Sequence, residues 1–174
     1  LDFFILKTTS SGSTSWVKTS GGTGDDRGRN VYWDAAGNVY AAGYFSGTAD
    51  LDPGPGSYPA TAVSEDIFIL KLDPNGNTVF ARQIGSSESD NSRAVVTDAA
   101  GNIYFSGNYG MTTDFNPGSG TSNLTASGIF DAFYAKWSQC FPTSSSISPS
   151  ACGSYTSPSG NYTWTSGGNY ADTI

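Results

Sequence analysis

Short runs of apolar residues alternate with Gly, Pro, Asn and Asp along the whole chain. Two of these runs, "FFILK" at 3–7 and "IFILK" at 67–71, are apolar on both faces, which is typical of strands buried between neighbours. Other runs, such as "VYAAG" and "IYFSG", directly follow a Gly-Asn turn signal and indicate hairpins. The pattern predicts an all-β chain of short antiparallel strands.

The pattern also repeats with a period of 64 residues. "DFFILK" at 2–7 recurs as "DIFILK" at 66–71, and "DAAGNVYAAG" at 34–43 recurs as "DAAGNIYFSG" at 98–107. A third copy opens with "DAFYAK" at 131–136, shifted by one inserted residue. Each unit holds four strand patterns followed by a polar Gly/Pro excursion, and such repeats predict four-stranded antiparallel β-propeller blades.

The repeat gives the chain its expected domains. We expect propeller repeats over 1–137, a linker over 138–150 and the start of a second, truncated β-sandwich-like module over 151–174. The predicted bounds within the repeats are about 2–65 for the first blade, about 66–130 for the second and 131–137 for the leading strand of a third. Two blades and a strand make a partial propeller. Either further blades lie upstream in a longer polypeptide, or several chains complete a ring, or the strands pack differently.

Composition narrows the choice of partners. The formal net charge is -7 and only 8 residues are Lys or Arg, which argues against nucleic-acid binding because few cations could neutralise phosphates. No run of 18 apolar residues is present, so no membrane span is expected in this segment. Cys140 and Cys152 lie in a Ser/Thr-rich stretch typical of exported proteins and are disulfide candidates, with each other or with cysteines outside the segment.

Catalytic chemistry is poorly supported. The chain has no histidine, which removes the usual general base, the commonest metal ligand and the Ser/His and Cys/His nucleophile systems. Acidic pairs remain, namely Asp25 with Asp26, Glu65 with Asp66, and Glu88 with Asp90. We interpret these pairs as solvated loop residues, and we expect no catalytic residues and no enzyme activity.

One acid and one base recur together in both units. Asp26 and Arg29 return as Asp90 and Arg93, and the base follows the acid by three residues each time. We interpret both pairs as structural ion pairs that bridge a loop to a blade, because repeated scaffolds keep packing contacts in register.

The "DAAGN" motif indicates a second structural device. Asp34 and Asp98 are expected to accept backbone hydrogen bonds that fix the turn. Gly37 and Gly101 are expected to supply a positive φ at its tightest point.

A calcium loop is the remaining candidate site. "DLDPG" places Asp50 and Asp52 two residues apart, and "DFNPG" places Asp114 and Asn116 at the same spacing. Calcium prefers oxygen-rich loops, but an EF-hand type spacing fills more positions and ends in a bidentate Glu. A turn closed by the aspartates, Pro and Gly is therefore the favoured interpretation, with calcium as the alternative and the one cofactor considered.

The motifs together resemble a known family. The D-x-F-[IV]-x-K strand, "WVKTSGG" at 16–22 and D-x-x-G-N-[VI]-Y-x-x-G resemble the bacterial SBBP β-propeller repeats of secreted and surface proteins, over residues 1–137. The stretch 148–174 resembles the Ser/Thr/Tyr-rich modules of Bacteroidetes surface adhesins. The resemblance implies an extracellular or cell-surface location and export by type IX secretion.

The expected function is a non-catalytic segment of a large secreted or cell-surface bacterial protein, acting in adhesion, display or scaffolding. Glycan binding by a lectin-like propeller and self-association into an extracellular assembly are the alternatives. Surface glycans, other proteins and copies of the same chain are the partners considered.

Overall fold

A computed structural model describes residues 1–138 and two short strands beyond them. The chain divides into two compact units, Leu1–Trp137 and Ser138–Ile174. In the second unit, Tyr155–Thr156 pairs antiparallel with Thr163–Trp164. Every regular element in the described residues is a strand, so the prediction of an all-β chain is confirmed.

The strands of the first unit follow the sequence repeat. In chain order they are β1 (Phe3–Thr8), β2 (Thr14–Gly22), β3 (Arg27–Trp33), β4 (Val39–Asp50), β5 (Pro59–Leu72), β6 (Thr78–Ile84), β7 (Asn91–Thr97), β8 (Ile103–Tyr109), β9 (Thr112–Asp114), β10 (Asn123–Thr125) and β11 (Asp131–Trp137). Strands β1, β5 and β11 are equivalent in the repeat, as are β2 and β6, β3 and β7, and β4 and β8.

Hydrogen bonding groups these strands across the boundary between the sequence units. Strands β3, β4, β5 and β6 form a four-stranded antiparallel arrangement, which we call the middle layer. Strands β7, β8 and β11 form the third layer in the same order. Strands β1 and β2 form a hairpin, the first layer, and β2 also pairs briefly with the outer end of β4. Within residues 1–138 the sheets are antiparallel and open.

The Gly/Pro excursions contain more structure than the sequence predicted. Strands β4 and β5 continue as an extended hairpin, with Thr48 opposite Thr61 and Asp50 opposite Pro59. In the second copy, β9 and β10 form a separate short hairpin. The expectation of an excursion without strands is therefore wrong, because the alternating Thr, Ala and Val residues at its base pair as strands and leave only its tip as a loop.

The first layer folds over one face of the middle layer. The Phe3 ring stacks on Phe68 with centroids 4.5 Å apart and planes at 9°. At the far end of the hairpin, Trp16 Nε1 and Lys7 Nζ both donate to the carbonyl of Pro74, at 3.2 and 2.7 Å. The buried residues of both layers belong to one hydrophobic cluster, so burial of apolar surface holds the hairpin in place.

The third layer packs on the middle layer through β7, which lies against β3 and β4, and two hydrogen bonds join the layers. Val95 N donates to Asn30 Oδ1 at 2.9 Å, and Tyr32 donates to the carbonyl of Thr97 at 3.4 Å. The rings that meet in the third layer are Phe105, Tyr109, Phe115, Phe133 and Trp137. The first unit is thus a series of three layers, each in contact with the next.

Candidate functional site

The two "DAAGN" turns have the same geometry. Asp34 Oδ1 accepts from Asn38 N at 2.9 Å, and Asp34 Oδ2 accepts from the Asn38 side-chain amide at 2.8 Å. Asp98 binds the equivalent Asn102 groups at 2.8 and 2.7 Å. Gly37 has a φ of 83°, in the region that favours glycine. Both oxygens of each aspartate thus serve the turn.

The "DPNGN" turn between β5 and β6 uses the same device. Asp73 Oδ1 accepts from Asn75 N and Asn77 N, and Asp73 Oδ2 accepts from the Asn77 amide. These hydrogen bonds lower the pKa of the Asp73 carboxyl, with the bond from Asn77 N as the largest cause. The sequence shows the same D-x-x-G-N spacing at 73–77 as at the two "DAAGN" turns.

The predicted ion pair between Asp26 and Arg29 is wrong. Asp26 turns inward, whereas the Arg29 guanidinium lies 5.1 Å from the Tyr44 ring centre and donates to the Tyr44 hydroxyl at 3.3 Å. The physical reason is a β-bulge. The pairing of β3 with β4 skips Arg29, and the pairing of β7 with β8 skips Arg93 in the same way. The repeated arginine therefore marks a repeated bulge.

Asp90 is buried at the junction between successive units and is fully hydrogen-bonded. Its Oδ2 accepts from Ser86 N at 2.6 Å and from the Ser86 hydroxyl at 2.8 Å. Its Oδ1 accepts from Gly110 N at 3.0 Å and from the Thr113 hydroxyl at 3.1 Å. Burial nevertheless raises the pKa of this carboxyl, against the effect of the hydrogen bonds. The carboxylate ties the start of β7 to the ends of β6 and β8.

Asp26 is the equivalent residue in the first copy but has fewer partners. Its Oδ2 accepts from Gly22 N at 2.7 Å, whereas its Oδ1 is buried without a hydrogen-bond partner among the described residues. Ala49 stands where the second copy has Thr113, so the hydroxyl that would reach this oxygen is missing. Burial raises the pKa of the Asp26 carboxyl.

Asp66 is the third buried carboxylate and the most perturbed. Its Oδ2 accepts from the Gln83 amide at 2.6 Å, and its Oδ1 is buried and unpaired within the described part of the chain. Burial raises the pKa of this carboxyl to about 6, the Gln83 hydrogen bond opposes the shift and the charge of Asp90 adds to it. Sequence reasoning took these aspartates for solvated loop residues. Asp26 recurs as Asp90, and Asp66 recurs as Asp131, but this recurrence did not by itself indicate burial.

The other predicted acidic residues have local partners. Asp25 forms a salt bridge of 2.6 Å with Arg27, and its hydrogen bond with that guanidinium lowers the pKa of the Asp25 carboxyl. Glu65 accepts from the Asn91 amide at 3.0 Å. Glu88 is exposed beside Ser86. Asp25 and Glu88 thus contact residues two positions away in the chain, whereas Glu65 binds a residue at the start of β7.

The first candidate calcium loop, residues 50–58, is closed by its own aspartates. Asp50 Oδ1 accepts from Asp52 N at 3.0 Å and from Tyr58 N at 2.8 Å, and these bonds lower the pKa of the Asp50 carboxyl, the one from Tyr58 most. Asp52 Oδ1 accepts from Gly54 N at 2.7 Å and from the Thr78 hydroxyl at 2.5 Å. The carboxylates are therefore turned towards backbone N–H groups.

The second loop, residues 114–122, repeats this arrangement. Asp114 Oδ1 accepts from Asn116 N at 2.9 Å and from Ser122 N at 2.8 Å, and Asn116 Oδ1 accepts from Gly118 N at 2.7 Å. An amide oxygen thus does in this copy what a carboxylate does in the other. No group of three or more His, Cys, Asp or Glu side chains gathers as metal ligands within the described residues.

Buried apolar residues anchor both loops to the core. Leu51 and Phe115 hold the equivalent position and are buried. The backbone closes above each of them, through Leu51 N to the Tyr58 carbonyl at 3.0 Å and Phe115 N to the Ser122 carbonyl at 3.1 Å. The tips beyond this closure are exposed. The molecule thus presents two similar loops on ordered hairpins, and they are its best candidate contact surface.

Some predicted residues lie outside the described residues. Cys140 and Cys152 are among them, together with most of the predicted linker and second module. In the part of the chain that the structure describes, no helix is long and apolar enough to cross a membrane.

Comparison with known proteins leaves the family open. A scan against protein-family models found no match to this chain, and a search of curated proteins found no similar sequence. The resemblance to SBBP repeats and to surface adhesins therefore remains a prediction from the motifs.

Proposed function

We propose that this chain is a non-catalytic segment of a secreted or cell-surface bacterial protein, in which propeller-type repeats present loops for adhesion or display. The observation that carries the proposal is the pair of equivalent loops at 50–58 and 114–122. Both are anchored by one buried apolar residue and closed by hydrogen bonds to one aspartate oxygen. Hydrogen bonds within each loop fix its shape, as a display surface requires.

The use of the acidic residues supports a non-catalytic role. A general acid or base needs a side chain that can reach a substrate. Here the buried carboxylates of Asp26, Asp66 and Asp90 bind backbone or amide groups at junctions between strands, and the turn aspartates bind N–H groups within their own turns. Each of these carboxylates therefore holds part of the scaffold together.

The propeller assignment is supported by the grouping of the strands. Strands β3 to β6 form one antiparallel unit of four, and β7, β8 and β11 begin the next unit in the same order. Successive layers pack face to face, as neighbouring blades do. We propose that each blade combines the second half of one sequence unit with the first half of the next.

Insertion of a peptide tag tests the display role. We expect a short epitope inserted between Gly56 and Ser57, or between Gly120 and Thr121, to be bound by its antibody while the free energy of unfolding changes by less than about 0.5 kcal/mol. The matched control is the same insertion between Ala36 and Gly37, which breaks a turn closed by Asp34 and should destabilise the fold. Equal destabilisation at all three positions would contradict a display role for the loops.

A glycan array and an activity screen test the rest of the proposal. Saccharide binding that is lost when the loop tips are replaced by Gly-Ser would identify the lectin-like form of adhesion. Binding that survives replacement of both tips would place the contact surface elsewhere. Release of product from glycoside or peptide substrates, abolished by Asp66→Asn, would contradict the non-catalytic assignment.

A further inference from the structure

Two buried carboxylates from neighbouring layers lie against the same short segment, residues 85–86. Asp66 is on β5 of the middle layer, Asp90 directly precedes β7 of the third layer, and their exposed fractions are 4% and 0%. A Cβ added to Gly85 would overlap the Asp66 carboxylate. The next residue, Ser86, donates two hydrogen bonds to Asp90. The junction between the two layers therefore contains a pair of acids.

The same pair of acids is present in the first copy of the repeat. Asp2 and Asp26 hold the equivalent positions, and Gly21 is the equivalent of Gly85. A Cβ added to Gly21 would lie 2.6 Å from Asp2 Oδ1 and 2.8 Å from Asp26 Oδ2, closer than a side chain allows. Asp2 is exposed, whereas Asp66 is buried. Both junctions thus keep the pair, and only the second junction buries both of its carboxylates.

The Asp66 carboxylate faces an amide and a second negative charge. Its Oδ1 has no hydrogen-bond partner among the described residues, and the charge of Asp90 raises the pKa of Asp66 beyond the effect of burial. The other titratable side chains of the surrounding segments have partners elsewhere or are exposed, namely Glu65 with Asn91, Tyr44 with Arg29, Arg82 beside Phe80, Tyr109 against Phe115, and the exposed Glu88 and Arg93.

Asp66 helps to close a joint in the first loop-bearing hairpin. The pairing of β4 with β5 is interrupted by a bulge, because residues 63–64 have no opposite residue in β4. The Gln83 side-chain amide spans this bulge, since it donates to the Thr61 carbonyl at 2.8 Å and to Asp66 Oδ2 at 2.6 Å. The hairpin that carries the loop at 50–58 lies beyond the bulge. Asp66 and Gln83 therefore hold that hairpin to the rest of its sheet.

Asp90 closes the corresponding joint of the second loop-bearing hairpin. Between β8 and β9 the chain changes direction at Met111, whose φ is 49°. Asp90 Oδ1 spans this break, because it accepts from Gly110 N at 3.0 Å and from the Thr113 hydroxyl at 3.1 Å. Strands β9 and β10 carry the loop at 114–122. Each member of the buried pair thus holds the base of one loop.

We propose that Asp66 and Asp90 form a pH-sensitive switch, in which a proton on Asp66 keeps both hairpin joints closed and ionisation of both carboxyls loosens the joints together. Two negative charges repel strongly where water is excluded, and protonation of one of them removes the repulsion. Since the pKa of Asp66 is raised to about 6, the joints are closed below that pH and loosen above it. The switch acts on how the hairpins are held and does not depend on what their loops bind.

Hydrogen exchange of the full 174-residue chain at about pH 5 and pH 8 tests the switch. Rates are converted to protection factors, which removes the intrinsic effect of pH on exchange. We expect protection over 59–66, 84–91 and 109–114 to be at least about tenfold lower at the higher pH, while 67–72 stays protected because the sheet remains folded. Asp66→Asn should remove most of this difference, because its amide carries no charge.

Asp2→Asn is the matched control, because it makes the same change at the equivalent, exposed position. It should leave the pH dependence at 59–66 and 109–114 intact. Carbon-13 NMR of the aspartate carboxyls in the unchanged chain follows the proton directly and needs no variant; it should show a buried carboxyl that titrates near pH 6.

Protection that is independent of pH, or equally dependent in Asp66→Asn, would overturn the proposal. So would loosening of one joint without the other, since the pair would then not couple them. Calcium that restores protection at the higher pH in the unchanged chain, but not in Asp66→Asn, would show that a cation closes the pair in place of a proton and would also overturn the switch.

Discussion

At the scale of single residues, the repeat offers a natural substitution at a buried carboxylate. Asp90 has a hydroxyl partner in Thr113. In the first copy Ala49 holds the position of Thr113, and Asp26 keeps one oxygen unpaired among the described residues. An unpaired buried oxygen destabilises a fold by more than a typical hydrogen bond stabilises it. The junctions around Asp26 and Asp90 therefore differ by one hydrogen bond, which a single substitution could supply.

Ala49→Thr should supply the missing partner. We expect the threonine variant to be more stable than Ala49→Val by about 1 kcal/mol, because the two side chains have the same shape and differ only in the hydroxyl. Urea unfolding at pH 7 measures both. The reverse change, Thr113→Val, should destabilise by a similar amount. A valine variant as stable as the threonine variant would show that the hydroxyl does not reach Asp26.

Asp66 should make stability depend on pH. Its folded pKa of about 6 lies above the ordinary value of 3.8 for an aspartate, so the folded state binds the proton more tightly than the unfolded state does. The stabilisation is therefore complete below about pH 4 and is lost as the pH rises through about 6. Asp66→Asn removes this charge and should raise the free energy of unfolding at pH 7 by on the order of 2 kcal/mol.

Urea unfolding between pH 4 and pH 7 tests the assignment. The free energy of unfolding of the unchanged chain should fall as the pH rises across this range, and it should fall less in Asp66→Asn. Some pH dependence should remain in the variant, because burial also raises the pKa values of Asp26 and Asp90. Asp25→Asn is the control, since that carboxyl is exposed and its pKa is lowered by Arg27. An identical slope in Asp66→Asn and in the unchanged chain would refute the role of Asp66.

At the scale of elements, the loop at 50–58 should need an oxygen at residue 52 and no charge. Asp52→Asn is expected to keep the unchanged stability, because Asn116 fills the same role in the other copy. Asp52→Ala should destabilise by about 1 kcal/mol through loss of the bonds from Gly54 and Thr78. Melting with and without calcium checks the alternative: a rise in melting temperature that Asp52→Asn abolishes would establish a calcium site.

The "DAAGN" turn should depend on the backbone conformation of its glycine. Gly37→Ala is expected to destabilise by about 1 kcal/mol, since φ is 83° and alanine adopts that region poorly. Gly37→Asn is the matched change, because asparagine tolerates the left-handed region better, and its effect should be smaller. Thermal melting measures both. Equal effects of alanine and asparagine would show that a clash, rather than φ, decides the outcome.

The elements were largely predictable from the sequence, and the exceptions have physical causes. Runs such as "FFILK" and the Gly-Asn turns indicate strands and hairpins directly. The extended part of β4 and β5 was missed, because Thr, Ala and Gly around Asp50 resemble loop residues until a partner strand is opposite them. The burial of Asp26, Asp66 and Asp90 was missed because it depends on neighbours that no local spacing reveals.

At the scale of the whole molecule, the period of 64 established which strands are equivalent but not which strands pair. Strand β5 pairs with β4 of the preceding unit and with β6 of its own, so the middle layer spans a unit boundary. Knowing which strands are equivalent does not determine which strands pair. A sheet could begin at any strand of the sequence unit, and the period of 64 residues would be the same. The layers that result contact their neighbours in series, as in other repeat folds.

Because the layers contact their neighbours in series, the first layer and the third layer should unfold locally and independently of each other. Phe3→Ala removes the ring stacked on Phe68 and should release the first layer. Phe133→Ala should weaken the aromatic cluster of the third layer. A substitution of this kind in a core typically lowers the free energy of unfolding by about 3 to 5 kcal/mol. Hydrogen exchange measured by mass spectrometry should accelerate over 1–22 in the first variant, while 91–137 remains protected, and the second variant should show the reverse. If both variants accelerate exchange evenly over the unit, the layers unfold as one body, and the coupling between neighbours is stronger than their separate cores.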